Sequence, residues 1–138
     1  MTQEQKELLL KDLCARLSYG VRAEILNNED IRRQVVVSYG NICYVPEIGK
    51  GWWKECKPYL FPLSSMTVEQ RCKAQNLLPN NCEISFINSK ITFYGENCCE
   101  IKLEQFDKLF KFFDSQHVDY RGLIPMGLAL DATSKNIY

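Results

Sequence analysis

A short stretch in the middle of this sequence combines aromatic rings with cations. Residues 50–59 include two tryptophans, a tyrosine and three lysines. Such rings stack on a nucleobase or on a partner's apolar side chains, and lysines neutralise phosphate charge. Arg121 adds a guanidinium whose planar fork fits phosphate or carboxylate. The predicted ligand- or partner-binding site consists of Lys50, Trp52, Trp53, Lys57, Tyr59 and Arg121.

The same stretch also has a purely structural interpretation. Adjacent tryptophans often seal a loop onto the core, while lysines keep its outer side hydrated. The variant Trp52→Ala separates the two hypotheses. A binding residue can be truncated with the fold intact, whereas a core seal cannot.

No local pattern predicts a cofactor or a metal ion. Trp52 follows Gly49-Lys50-Gly51, where a phosphate-binding P-loop needs serine or threonine. A structural zinc site needs close pairs of ligands separated by a few residues, and the one close cysteine pair, Cys98-Cys99, is adjacent in sequence. We therefore expect no cofactor and no bound metal.

Catalysis is the alternative hypothesis. A thiol nucleophile needs a base, and the chain has one histidine, His117. Two carboxylate pairs, Glu100 with Glu104 and Asp107 with Asp114, are mixed with lysines, which is typical of the hydrated face of a helix. The leading prediction is a non-enzymatic binding protein. The alternative is a small hydrolase or other enzyme that uses carboxylate or thiol chemistry.

Three segments carry the helical period that would position these residues: 2–17, 67–78 and 103–113. Thr2 and Thr67 each precede a glutamine by three residues, which is the spacing of a capping box. The apolar stripes consist of Leu10, Leu13, Cys14 and Leu17 in the first segment, and Leu103, Phe106, Leu109, Phe110 and Phe113 in the last. We assign Lys6 and Asp12 to the polar face of the first helix.

Strand signals fill much of the remaining sequence. They cover residues 21–26, 34–39, 42–45, 83–87 and 91–94. Gly40-Asn41 predicts one hairpin turn, Asn88-Ser89-Lys90 another, and residues 46–66 a long ordered loop. The tail, 118–138, predicts irregular chain with short strands. The expected fold is a single α+β domain over residues 1–138, with a small antiparallel sheet and about three helices packed on it.

Composition narrows the class of partner and the compartment. The 17 lysines and arginines balance 17 acidic residues, so general nucleic-acid binding is not expected. No apolar run approaches the ~18 residues that span a bilayer, and we expect no membrane partner. The seven cysteines are odd in number, and the polar first residues do not resemble a signal peptide. We expect seven reduced thiols and a cytoplasmic location.

Three segments resemble a group of small, uncharacterised proteins encoded by gut Bacteroidales genomes and by their phages and prophages. The segments are Leu8 to Leu17, Lys57 to Thr67 and Asp119 to Ala129. The resemblance implies a bacterial cytosol and a phage or prophage accessory role. In that setting the protein would bind a host protein or sequester a nucleotide signal as an anti-defence factor. A nucleotide sponge would need a concave site, lined by rings and cations and formed by a homo-oligomer.

Overall fold

The computed structural model describes residues 1–87, 90–95 and 100–138. These residues form an α+β fold with four α-helices. In chain order the elements are α1 (Gln3–Arg16), β1 (Arg22–Asn27), β2 (Arg32–Val36), α2 (Tyr39–Ile42), β3 (Trp53–Pro62), α3 (Val68–Asn76), β4 (Cys82–Ile87), β5 (Lys90–Gly95), α4 (Leu103–Ser115), β6 (Val118–Asp119) and β7 (Leu130–Asp131). None of the described helices has the length and apolarity needed to cross a membrane.

The chain divides into two compact units. Unit 1 contains residues 1–60 and 121–138, and unit 2 contains residues 61–120. The α+β class is confirmed, while the single domain over 1–138 stays a prediction.

Unit 1 contains a small mixed sheet, and α1 contributes side chains to the same hydrophobic core. β1 pairs antiparallel with β2 on one side and with β3 on the other, and β7 pairs parallel with β3. One face of this sheet supplies core residues, including Ala23, Ile25, Cys56 and Leu60, to a cluster that also contains Leu9 and Leu13 of α1. The opposite face carries polar and charged side chains, and we call it the polar sheet face: Glu24, Arg32, Gln34, Glu55, Lys57 and Tyr59.

Unit 2 is built from α3, the β4–β5 hairpin, α4 and β6. Thr67 and Gln70 form the predicted capping box at the start of α3. The predicted second hairpin is confirmed by antiparallel pairing of β4 with β5, although Asn88 and Ser89 of its turn lie outside the described residues. Leu109 and Phe113 of α4 are fully buried, whereas Phe106 and Phe110 are half-buried. The predicted helices and the short strands of the tail are confirmed.

The first hairpin lies earlier in the chain than predicted. Residues 28–31 form its turn, and Gly40-Asn41 falls inside the short helix α2. Ser38 explains the difference, because its amide and its hydroxyl both donate to the Asn41 side chain and hold the start of a helical turn. The predicted strand over 42–45 is therefore wrong.

The predicted long loop over residues 46–66 is also wrong in its second half. Residues 53–62 form β3, the longest strand of the structure as described, despite Pro58 and Pro62. Pro58 lies opposite Ala23 on the core side, where its ring is buried. Burial of the strand outweighs the weak strand preference of proline at this position.

The buried stripe of α1 differs from the predicted one. Leu13 is buried as expected, and Leu10 and Leu17 pack against the core cluster, but Leu9 is also fully buried and Cys14 is exposed. Asp12, Arg16 and Lys6 are all buried. The assignment of Lys6 and Asp12 to a hydrated face is wrong. Arg16 and Arg121 donate to the Asp12 carboxylate, and the Lys6 ammonium donates to the Pro46 carbonyl over 3.4 Å.

One cysteine contradicts the prediction of seven free thiols. Cys82, buried at the start of β4, is disulfide-bonded. Cys14, Cys43, Cys56 and Cys72 are free. Disulfides persist mainly in oxidising compartments, so the thiols no longer support the cytoplasmic location, which stays a prediction.

Candidate functional site

Trp52 is an exposed ring on a well-ordered turn. Its side chain is 69% exposed. The backbone beneath it is fixed, since the Asn28 amide donates to the Trp52 carbonyl over 3.0 Å and the Gly49 amide to the Trp53 carbonyl over 2.8 Å. Gly49 has a φ of 83°, a left-handed conformation that glycine adopts without strain. The ring is therefore presented to solvent rather than sealed onto the core.

Trp53, the next residue, faces the other way. The pairing of β1 with β3 shifts register between Leu26 and Asn27, at the start of β3. Trp53 packs against the core cluster of unit 1, and its ring lies 5.4 Å from that of Tyr44. Tyr44 is itself 43% exposed. We call Tyr44, Trp52 and Trp53 the Trp52 patch: the exposed rings of Tyr44 and Trp52, and the ring of Trp53, which packs on the core.

Two of the three lysines between residues 50 and 59 lie near carboxylates. Lys54 lies 2.6 Å from Asp30, and Lys57 lies 3.8 Å from Glu55. Lys50 is exposed on the turn that precedes Trp52. Lys54 and Lys57 therefore lie near acids of the same unit, whereas Lys50 is an exposed cation on the turn.

Tyr59 lies inside a polar network on the polar sheet face. It is buried, its hydroxyl donates to Glu24 over 3.2 Å, and it accepts from the Gln34 amide over 3.2 Å. The ammonium of Lys135 lies 5.0 Å from its ring centre. The ring is covered, so Tyr59 acts as a support of the sheet and offers no stacking surface.

Glu24 is the centre of this network. Arg32 donates to its carboxylate over 2.6 Å, and this hydrogen bond lowers the pKa of Glu24 below its ordinary value of 4.5. The Tyr59 hydroxyl adds to the lowering, and burial partly opposes it. Glu24 is thus held ionised at neutral pH.

Arg121 binds an acidic side chain of α1. Its guanidinium donates to the Asp12 carboxylate of α1 over 2.7 Å, and its side chain is 16% exposed. Arg16 donates to the same carboxylate through two nitrogens, at 2.9 and 3.0 Å. The structure therefore joins Lys57 and Tyr59 in one polar face and groups Trp52 with Trp53, but it engages Arg121 in a separate ion cluster.

Several residues of these networks escaped prediction. Glu24, Arg32 and Gln34 alternate along two strands, a pattern that becomes visible only once the β1–β2 register is known. Asp12 and Arg16 did carry a signal, because they are four residues apart on a helix, the spacing of an ion pair. Spacing alone does not reveal that such a pair is buried.

The Cys56 thiol and the exposed carboxylates of α4 are placed unfavourably for nucleophilic or acid–base chemistry. Burial raises the pKa of the Cys56 thiol to about 12, so it is not a thiolate near neutral pH. Glu104 and Asp107 pair with Lys108 and Lys111 on the exposed side of α4, as predicted, whereas Asp114 is buried. Within the described ranges, no three metal-ligating side chains converge on one point.

Protein-family models, curated proteins and solved structures provide no match to this chain. The geometry described above is therefore the basis for assigning a function.

The Glu24 network predicts a pH-dependent stability. A carboxylate whose pKa is lowered on folding stabilises the fold above its unfolded pKa, and this contribution is lost as pH falls through the folded value. We expect the urea midpoint to fall as pH decreases below 4.5, and we expect Glu24→Gln and Arg32→Gln to flatten that fall. Arg33→Gln is the control, because Arg33 lies on the opposite face of β2. A slope unchanged by Glu24→Gln would contradict the proposed linkage.

Proposed function

We propose that this chain is a non-enzymatic binding protein that docks a protein partner on the Trp52 patch. The observation that carries the proposal is the 69% exposure of Trp52 on a turn fixed by backbone hydrogen bonds. An ordered, exposed tryptophan contributes large contact area at a low entropic cost, and tryptophan is enriched among residues that dominate interface energies. The resemblance to phage and prophage proteins suggests a host protein as the partner.

A protein partner fits the site better than a nucleotide does. A nucleotide sponge would stack a base between rings and neutralise phosphate with free cations. Here Trp53 packs on the core, Tyr59 is covered, and Lys54 and Lys57 lie near acidic side chains of the same unit. Among the rings of the predicted site, Trp52 remains exposed, and an exposed ring suits insertion into an apolar pocket of a partner.

The test compares capture of proteins from a Bacteroidales host lysate by the wild-type chain and by Trp52→Ala. Tyr39→Ala is the matched control, because Tyr39 is another exposed aromatic residue of unit 1, at 85% exposure. For a captured protein we expect Trp52→Ala to weaken binding by about 1–3 kcal/mol, measured by calorimetry, and Tyr39→Ala to have no effect.

Fluorescence gives a direct measure of the same contact. In a Trp53→Phe variant, Trp52 is the remaining tryptophan, and its emission should shift to shorter wavelength as the partner covers it. Equal affinity of wild type and a folded Trp52→Ala variant would move the site elsewhere. A Trp52→Ala chain that fails to fold would show that the ring is structural.

A further inference from the structure

The outer edge of β2 has unpaired backbone groups. β2 is the terminal strand of its sheet, next to β1. The Val37 amide donates to the Val21 carbonyl over 2.9 Å, and the Asn27 amide donates to the Ile31 carbonyl over 3.1 Å. In an antiparallel pair, every second residue of a strand bonds to the neighbouring strand. Residues 31 and 37 bond in this way to Asn27 of β1 and to Val21 just before it, so residues 32, 34 and 36 direct their amides and carbonyls away from β1.

These outward groups have no partner among the described residues. The edge therefore offers three amides and three carbonyls, those of Arg32, Gln34 and Val36, in the spacing that one further strand would match. The side chain of Val36 is 55% exposed beside them. The backbone pattern selects an extended segment, since a helix cannot bond to a strand edge.

The charge at this edge identifies the chemistry of that segment. Arg33 is exposed, and it makes no hydrogen bond or ion pair within the described part of the chain. The Arg32 side chain is 57% exposed and already contacts Glu24. A strand with a carboxylate beside Arg33 would supply the missing counter-charge and would cover Val36 on the other face.

A second copy of this chain fits less well. In an antiparallel pair centred on Gln34, Arg33 would lie opposite Val35 of the other copy and diagonal to its Arg33. That diagonal is about 7–8 Å, and like charges at such cross-strand positions are unfavourable. Charged edge residues are a common defence against self-association.

We infer that the β2 edge binds an extended, acidic segment of a partner protein by strand addition. This inference goes beyond the proposed function, because it uses no residue of the Trp52 patch. Main-chain hydrogen bonds would provide the affinity, and Arg33 would provide the preference for acid.

The test uses fluorescein-labelled peptides of about seven residues, which is the length of an ordinary strand. One alternates valine and glutamate, a second replaces glutamate by glutamine, and a third carries N-methyl groups on the amides that would face β2. Fluorescence polarisation with the full chain should show the glutamate peptide binding best. Loss of one or two hydrogen bonds should weaken the N-methyl peptide by about tenfold or more.

Two variants locate the site. Arg33→Gln should weaken the glutamate peptide several-fold and leave the glutamine peptide unchanged, whereas Lys73→Gln, an equal change of net charge in α3, should affect neither. Gln34→Pro removes an outward amide while sparing the β1–β2 ladder, and it should weaken every peptide. If this variant does not fold, the N-methyl peptide tests the same hydrogen bonds.

The inference is overturned if the N-methyl peptide binds as well as its parent, or if the glutamate peptide shows no saturable binding. If sedimentation shows that the wild-type chain is a dimer, and if Arg33→Gln strengthens that dimer, the edge binds a second copy instead. Trp52→Ala should bind the glutamate peptide normally, so failure of the strand-addition site and failure of the Trp52 patch are distinguishable.

Discussion

Replacement of Asp12 by asparagine is expected to lower the free energy of unfolding by about 3–5 kcal/mol. Asp12 is fully buried and accepts hydrogen bonds from two arginines, Arg16 and Arg121. Arg16 is also fully buried. Asparagine removes the counter-charge that Asp12 supplies to these arginines, and removal of one partner of a buried ion pair is among the most costly changes in a core.

Asp107→Asn is the matched control for this prediction. Asp107 and Lys111 have the same spacing along a helix as Asp12 and Arg16, and their closest atoms lie 2.7 Å apart. Their side chains, however, are 56% and 64% exposed. Exposed pairs contribute about 0–1 kcal/mol, so urea unfolding should barely distinguish Asp107→Asn from wild type. Similar losses for both variants would show that burial does not set the strength of the Asp12 pair.

The sequence predicted local structure well where the signal was local. The capping boxes at Thr2 and Thr67 and the period of residues 103–113 correspond to helices that begin where expected. The Gly40-Asn41 turn failed because Ser38 and Asn41 form an equally local competing signal for a helical turn. β3 was not predicted because its two prolines, and the glycines at 49 and 51 that precede it, are typical of a loop. Burial nevertheless keeps these residues in the sheet.

The candidate site was only partly predictable, because it depends on pairing between distant strands. The pattern of rings and lysines includes Trp52, which the structure places in an exposed position. It could not show that a register shift accompanies the inward packing of Trp53, or that Tyr59 lies beneath Lys135. Asp12, which accepts from Arg121, lies more than a hundred residues away in the sequence, and no local pattern connects the two.

Truncation of Phe113 to alanine is expected to destabilise the chain by about 3–5 kcal/mol. Phe113 is fully buried in unit 2. Its ring meets Phe86 edge-on at 6.1 Å and Tyr120 at 5.6 Å, so truncation removes both buried area and favourable ring contacts. The hydrophobic cluster around it contains Leu109, Val118 and Leu63, whose packing would be left around a cavity.

Phe106→Ala on the same helix is the internal control. Phe106 is half-buried, and it contacts Phe93 edge-on at 5.4 Å and Phe110 face-on at 6.0 Å. Since part of its ring already meets water, its truncation should cost less than half as much as that of Phe113. Chemical unfolding of both variants, followed by far-ultraviolet circular dichroism, measures the difference. Equal costs would mean that the outer rings of α4 contribute as much to the core as the fully buried ring, and the assignment of Phe113 as the main core residue of this helix would then be wrong.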